Sequence, residues 1–354
     1  MFPRVEIHAD GIAQNFQVIR DWASSHGIRI SVVTKALAGY RPLIDHIVAA
    51  GADSLGEAHL ANLVAADNLG VEKWMIRPPL LSQVDDVVRY ADVSLASEPV
   101  TIRALGDAAA AQGRTHKIIV MVESGDRREG VMPEDLPDLC ETTARTPGVE
   151  LYGAGTVFGC VSDIVPSPEA MDRFSRAVRL AEARLGAELE VISGGSSNSL
   201  HMLQEGTLPD KVNHLRLGDS ILTGRVANYH TPIEGCFLDP FTLSAEIVEI
   251  KNKPSQPVGL RVPGEVPVQE DPHFPDHGVR RLALVAVGKQ DVGVHHLTPH
   301  DPAIQIMEGS SDVFVADVTD CAQNYVVGDI LTFSMDYFAI LPAMVSSFVE
   351  KKLV

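Results

Sequence analysis

Ile28-Arg-Ile-Ser-Val-Val-Thr34 runs directly into Lys35-Ala-Leu-Ala-Gly39. The first stretch is short, apolar and β-branched, and the amphipathic segment Pro42–Ala50 follows it. That order reads as a buried strand feeding a helix. The same unit recurs along the first two-thirds of the chain. Further strand-like runs are Ala52–Leu55, Lys73–Arg77, Asp92–Ala96, Lys117–Glu123, Val149–Thr156, Leu189–Ser193 and Val212–Leu217. Helix-like stretches lie between them at Glu57–Leu69, Ser82–Tyr90, Glu98–Gln112 and Pro168–Leu185. Pro99, Pro133 and Pro168 stand where a first helical turn tolerates proline. Eight strands alternating with helices fit a parallel (β/α)8, TIM-like barrel. An open doubly wound sheet is the rival, and eight successive units favour the barrel.

The pattern changes near residue 230. From Phe241 onward strands follow one another without intervening helices: Thr242–Ile250, Val258–Val262, Leu282–Val287, Ala303–Ile306, Val313–Val318 and Ile330–Phe333. Loops rich in Pro and Gly part them, notably Lys253–Pro257 and Pro263–Pro275. This predicts a barrel over residues 1–230 and a mostly antiparallel β domain over residues 231–354. The chain has 354 residues, 45% of them hydrophobic, and a formal net charge of −18. Such an acidic surface repels nucleic acid and anionic membranes, so neither is expected as a partner. The four cysteines are scattered without a CxxC pair, which argues against a zinc site or a disulfide scaffold. No basic n-region with an apolar run opens the chain and no long apolar stretch follows, so a soluble cytoplasmic protein is expected.

Four places invite chemistry. Lys35 ends the first strand, and the C-terminal ends of barrel strands form the active face. A desolvated amine there can attack an aldehyde to form a Schiff base. The plainer reading is a strand-end lysine reaching solvent. Ser193-Gly-Gly-Ser-Ser-Asn-Ser199 follows the seventh strand and opens a helix. Small residues at a helix start let backbone N–H groups approach a phosphate, although an ordinary Gly/Ser turn has the same composition. Arg216, flanked by leucines at the end of strand eight, and Arg128, after strand five, each suit pairing with a carboxylate or facing a ligand.

Together these places have a family order. The chain resembles the alanine-racemase type of pyridoxal-phosphate enzyme over nearly its full length. Arg4-Val-Glu-Ile-His-Ala-Asp-Gly-Ile-Ala-Gln-Asn15 is similar to that family's opening strand and first helix, and Val32-Val-Thr-Lys35 to its cofactor lysine motif. Met75–Ser82, Val93–Glu98, Gly125-Asp-Arg-Arg-Glu-Gly130 and Ser193–Ser199 resemble the ornithine-racemase group in particular. The resemblance implies pyridoxal 5′-phosphate on Lys35, which also deprotonates one face of the substrate. Arg216 would face the pyridine nitrogen. Arg128 would lie by the phenolic oxygen or the substrate carboxylate. Ser196, Ser197 and Asn198, with Gly218 and Asp219, would cradle the phosphate, and Tyr337 would reach the same region unless it is a core tyrosine. A homodimer with active sites shared between subunits is also implied.

The departures matter equally. The family's catalytic tyrosine lies in a Gly-Tyr-x-Asp motif, and here the comparable segment is Val287-Gly-Lys289-Gln-Asp291. Lys289 is the expected substitute, since an amine also exchanges protons; a solvated loop lysine is the plainer reading. Asp291 is the expected partner for a distal substrate ammonium, and Ser310-Ser-Asp312, followed by the strand Val313–Val318, resembles the family's β-domain segment that meets the substrate carboxylate. Thr156 is followed by Val157 where the family has a ring-stacking histidine, and Met121 stands where some members carry a modified lysine. His295, His296 and His300, preceded by His273 and His277, raise a metal hypothesis. Their loop context and lack of fixed ligand spacing argue against it. The expected activity is racemisation of a basic amino acid such as ornithine or lysine. The rivals are a lyase on the same scaffold (decarboxylase, aldolase or dehydratase) and a non-catalytic pyridoxal-phosphate carrier.

Overall fold

A computed structural model describes residues 1–259 and 276–354. It divides into two compact units, Ala9–Leu238 on one hand and Met1–His8 with Asp239–Val354 on the other.

The first unit opens with α1 (Ala9–Ser25) and closes eight parallel strands into a barrel. The strands are β2 (Arg29–Val33), β3 (Ser54–Glu57), β4 (Glu72–Met75), β5 (Val93–Ala96), β6 (His116–Val122), β7 (Val149–Thr156), β8 (Val191–Ser196) and β9 (His214–Leu217), numbered after β1 (Arg4–Ile7). Each is followed by a helix: α2 (Arg41–Ala49), α3 (Leu60–Ala65), α4 (Val84–Tyr90), α5 (Pro99–Ala111), α6 (Leu136–Ala144), α7 (Pro168–Leu185), α8 (Leu200–Gln204) and α9 (Asp219–Thr223). The open doubly wound sheet is thereby ruled out, because β2 pairs with both β3 and β9. The bounds of α7 follow local chemistry. Ser167 accepts from the Ala170 amide at 3.2 Å, Pro168 fills the first turn, and Gly186 closes the helix at φ 66°. The helix expected over Glu57–Leu69 is shorter, since Glu57 is the last residue of β3 and only Leu60–Ala65 is helical. Val33, Trp74, Leu95, Met121 and Val191 come from five different strands yet cluster together, as only a filled barrel interior allows.

The first unit ends on the short antiparallel pair β10 (Arg225–Val226) and β11 (Thr231–Pro232). In the second unit β12 (Phe241–Pro254) is the central strand, paired with β13 (Val279–Val285) and with β17 (Ile330–Met335). The strands β14 (Leu297–Pro299), β15 (Gln305–Gly309) and β16 (Phe314–Asp317) extend the sheet in the order β14-β17-β12-β13-β16-β15. Its pairings are antiparallel apart from β1 with β18 (Glu350–Leu353). Two differences from the sequence reading stand out. Residues 1–8, counted there with the barrel, belong here, because Arg4–Ile7 pairs antiparallel with Phe241–Ser244. The run is also not free of helices: α10 (Tyr337–Val345) follows β17, with the Asp336 carboxylate accepting from the Phe338 and Ala339 amides at its start. Of the strand expected at Val258–Val262, Val258 and Gly259 are not in a strand, and the remainder lies outside the described residues with Pro263–Pro275 and His273. No helix among the described residues is long and apolar enough to cross a membrane.

Candidate active site

Lys35 immediately follows β2 and starts a single 3₁₀ turn that ends at Ala38 in the left-handed region, φ 50°. Burial lowers the pKa of its amine, and the charge of Arg128 adds to that; Cys160, Glu129 and Glu57 pull the other way. The strand end is tied down from beside it. The Thr34 hydroxyl donates to Glu57 Oε1 at 2.5 Å, and Asn62 Nδ2 donates to Oε2 at 3.0 Å. Glu57 is wholly buried, and burial raises its pKa despite those hydrogen bonds.

Arg216 projects from β9 and is buried. Its guanidinium donates from Nη2 to the Thr156 carbonyl at 2.9 Å and from Nη1 to the Ser193 hydroxyl. Burial brings its pKa down to about 10, so it remains charged at neutral pH. Below it the hydrogen bonds have one direction. Ser54 Oγ donates to the Ile30 carbonyl at 3.4 Å, so the 2.8 Å bond from Ser31 must run towards Ser54. Ser31 then accepts from His214 Nε2 at 2.9 Å, which leaves His214 Nδ1 to accept from Ser193 at 3.0 Å. Ser193 in turn accepts from Arg216. His214 is therefore neutral with its proton on Nε2, and its ring stacks on Trp74 at 4.6 Å. Burial, then the charge of Arg216, holds its pKa well below the usual histidine range.

His116, bonded through Nε2 to the Ser94 hydroxyl at 2.8 Å, is likewise pushed down by burial, to about 4. Both rings must be neutral in the folded barrel, while the unfolded chain protonates them near pH 6.5. The sign follows: their contribution is complete above about pH 6.5 and is lost as pH falls towards 4. At pH 5 His116 alone should cost about 2 kcal/mol relative to pH 7. The urea midpoint of the wild type should fall over that range, and His116→Gln should flatten the fall. Identical pH dependence in the two proteins would remove His116 from the account.

The Gly/Ser loop and the end of β9 are brought together. Ser197 Oγ accepts from the Gly218 amide and the Ser220 amide, both at 3.2 Å. Asn198 Nδ2 donates to the Phe158 carbonyl at 2.8 Å, and Ser196 Oγ accepts from the Asn198 amide at 3.4 Å. Gly195 has φ +123°, and a Cβ on Gly218 would lie 2.9 Å from the Val33 carbonyl, so both glycines serve close backbone approach. The Ser220 hydroxyl is buried without a hydrogen-bond partner beside this cradle. Ser196, Ser197, Asn198, Gly218 and Asp219 are thus neighbours, and hydroxyls and amides are the donor set a phosphate needs. With an amine at Lys35 and a buried guanidinium at Arg216, the residues of this unit fit an aldehyde-bearing, phosphorylated ring.

Arg128 lies in a loop that doubles back. Glu123 accepts from the Arg128 amide at 3.1 Å and from the Gly125 amide, while Gly130, at φ +137°, packs its Cα against the backbone of Val122 and Glu123. Arg128 Nε pairs with Glu129 Oε2 at 2.8 Å.

Within the β unit, Lys289 Nζ pairs with Glu308 Oε1 at 2.6 Å, and His295 Nε2 approaches the same oxygen at 3.3 Å. Burial raises the Glu308 pKa, but the Lys289 hydrogen bond and the Gly309 amide outweigh it and hold it below the usual range. The Lys289 amide donates to Ser310, so Lys289 and the Ser310–Asp312 turn are adjacent. Asp312 accepts from the Ser310 hydroxyl at 3.0 Å. Asp291 differs from its expected role. It is buried and its Oδ1 accepts from the Ser346 hydroxyl at 2.7 Å, a bond that ties the end of α10 to the Lys289 loop. Tyr337 opens α10 with its ring edge-on to Phe338. His296 pairs with Asp336 and His300 with Ser334; no group of three metal-ligating side chains occurs among the described residues. Sequence reasoning gave no role to Ser193, His214, Glu57, Glu129 or Glu308. Only Ser193 and Glu129 carried a signal, as members of motifs already singled out.

The family model for the alanine racemase N-terminal domain matches residues 7–225. The chain is 33% identical to the ornithine racemase of Acetoanaerobium sticklandii over 100% of both chains. It is 33% identical to the lysine racemase of Thermotoga maritima over 99% of this chain and 98% of that one. Among solved structures, the alanine racemase of Streptomyces lavendulae superposes with a TM-score of 0.74 at 21% identity, covering 100% of this chain and 98% of that one, a likeness of fold. With the domain model spanning more than half the sequence and full-length relatives at that identity, the chain belongs to the alanine racemase family.

Proposed function

We propose that the protein is a pyridoxal 5′-phosphate-dependent racemase of a basic amino acid such as ornithine or lysine. The observation that carries this reading is the Lys35 amine, lowered in pKa by burial, which shares the neighbours Arg128 and Glu129 with the buried Arg216. The full-length likeness to an ornithine and a lysine racemase supports the substrate class. Lys35 would hold the cofactor, Arg216 would stand at the ring nitrogen, and Ser196, Ser197, Asn198, Gly218 and Asp219 would take the phosphate, with Tyr337 as a further phosphate contact. When bound, pyridoxal phosphate supplies an aldehyde for the amine and a ring that withdraws electrons from the substrate's α-carbon. Lys35 then removes or returns the α-proton on one face. Arg128 positions the substrate carboxylate, and the Ser310-Ser-Asp312 segment is the candidate to meet it through backbone N–H groups. Exchange on the other face needs a second group, for which Lys289 of the partner subunit is the candidate in a homodimer.

The test is chiral analysis of L-amino acids incubated with the protein and cofactor in deuterated water. Ornithine or lysine should lose chirality and gain one deuterium at the α-carbon. Borohydride reduction should bleach the visible absorbance and leave the adduct on Lys35. An adduct on another lysine, or no α-deuterium in any amino acid, overturns the reading.

A further inference from the structure

We infer that Glu129 is the residue that selects a basic substrate, receiving its distal ammonium. The inference rests on the proposed racemase function and gives that site its specificity. The end of β3 and the loop after β6 carry four carboxylates, of which Glu57 and Glu129 act on the Lys35 charge, and three of the four have both oxygens committed. Glu57 accepts from Thr34 and Asn62. Glu123 accepts from the amides of Gly125 and Arg128. Asp126 accepts from the amides of Cys160, Val161 and Ser162 and from the Ser162 hydroxyl.

Glu129 is different. Its side chain is 8% exposed, Arg128 Nε holds Oε2, and Oε1 is buried with no hydrogen-bond partner. A buried carboxylate oxygen without a donor is costly, and the cost is removed only by a group that brings one. Burial lowers the pKa of both Lys35 and Arg216, and the Glu129 charge opposes that lowering at each, so it acts on the two groups where the chemistry is proposed. Turning a terminal carboxylate is a soft motion, so Oε1 can meet a donor without moving the main chain. The main chain itself is fixed. Val122 and Val131 form a bridge around the loop, and Gly130 admits no side chain, since a Cβ there would lie 2.3 Å from the Glu123 nitrogen.

The pair Arg128–Glu129 thus offers one cation and one anion side by side. When Arg128 turns to a substrate carboxylate, Glu129 loses its donor on Oε2 as well, and a distal ammonium satisfies it. A neutral side chain of the same length leaves it unpaired, which is how a polar site rejects an analogue that lacks the matching group. Asp291, the residue first expected in this role, already has its partner in Ser346.

The experiment compares kcat/KM for L-ornithine with that for L-norleucine, its uncharged isostere, in wild type and Glu129→Gln. Binding of both amino acids to the borohydride-reduced holoproteins, which cannot turn over, is measured by titration calorimetry. The ornithine-to-norleucine ratio should collapse about 100-fold or more in Glu129→Gln, and the calorimetric preference should vanish with it. An unchanged ratio in a variant that loads cofactor normally overturns the assignment while leaving the racemase reading intact. A wild type that racemises neither of these nor lysine overturns the racemase reading instead. If Glu129→Gln does not load cofactor, Glu129→Asp and Glu129→Asn, equal in size, replace it. The preference should persist in the first and disappear in the second; the same ratio in both overturns the assignment.

Discussion

Lys35→Ala and Lys289→Ala are each expected to lower racemisation by about 10²–10⁴-fold as homodimers, the range a positioned acid or base contributes. Mixed under conditions that exchange subunits, they should recover about a quarter of wild-type activity. Random pairing makes half of the dimers mixed, and each mixed dimer holds one intact site and one site lacking both amines. The expectation follows from chemistry on two faces. One amine cannot efficiently both remove a proton from one side of a planar carbon and return it to the other. The two lysines also stand in contrasting surroundings. Burial lowers the pKa of Lys35, which favours the free amine. Lys289 is ion-paired to Glu308 at 2.6 Å and is far more open to solvent. Two outcomes count against the proposal. If Lys289→Ala stays fully active, the second group lies elsewhere, and His295, on the same Glu308 oxygen, is the next candidate. If mixed dimers verified by mass recover nothing, the two lysines do not form a shared site.

The barrel was legible because its signal repeats. Eight short β-branched runs are separated by helix-length amphipathic stretches, and burial on both faces of a parallel strand writes a continuous apolar run. Val149–Thr156 and Pro168–Leu185 are found with the bounds that the sequence predicts. Where the reading failed, a long-range contact overrode a local pattern. Arg4–Ile7 reads as the opening strand of the barrel-forming part until Phe241–Ser244 takes it as an antiparallel neighbour more than two hundred positions along the chain. Glu57 looks like a helix start, yet its carboxylate is drawn under the helix layer by Thr34 and Asn62. In the candidate site, the residues singled out were those with a motif around them. Asp291 stands out in the sequence by its charge and its place beside Lys289, and neither reveals that its Oδ1 accepts from Ser346, 55 positions away. Glu308 and His214 sit in unremarkable strands, and only pairing brings them to Lys289 and Arg216.

Arg216→Glu should reverse the hydrogen-bond chain beneath it as well as slow the reaction. A carboxylate cannot donate, so the Ser193 hydrogen turns towards the new side chain and His214 Nδ1 loses its donor. The ring then protonates Nδ1 and donates back to Ser193. Nε2 becomes the acceptor from Ser31, Ser31 accepts from Ser54, and the Ser54 bond to the Ile30 carbonyl is lost. The cation that helped hold the His214 pKa down is gone too, and an anion replaces it. In ¹⁵N spectra, wild-type His214 should remain the Nε2–H form from about pH 5 to 9, whereas the variant should show a protonated Nδ1. For the reaction, a guanidinium at the ring nitrogen keeps that nitrogen unprotonated and limits electron withdrawal, and a carboxylate does the opposite. Losing a preorganised buried charge of this kind typically costs about 10²–10³-fold in turnover. Racemisation should fall by that amount, while transamination takes a larger share of the product. A variant with the wild-type product ratio would show that Arg216 does not stand beside the ring. A variant with an unchanged His214 tautomer would show that Arg216 does not set the direction of the chain.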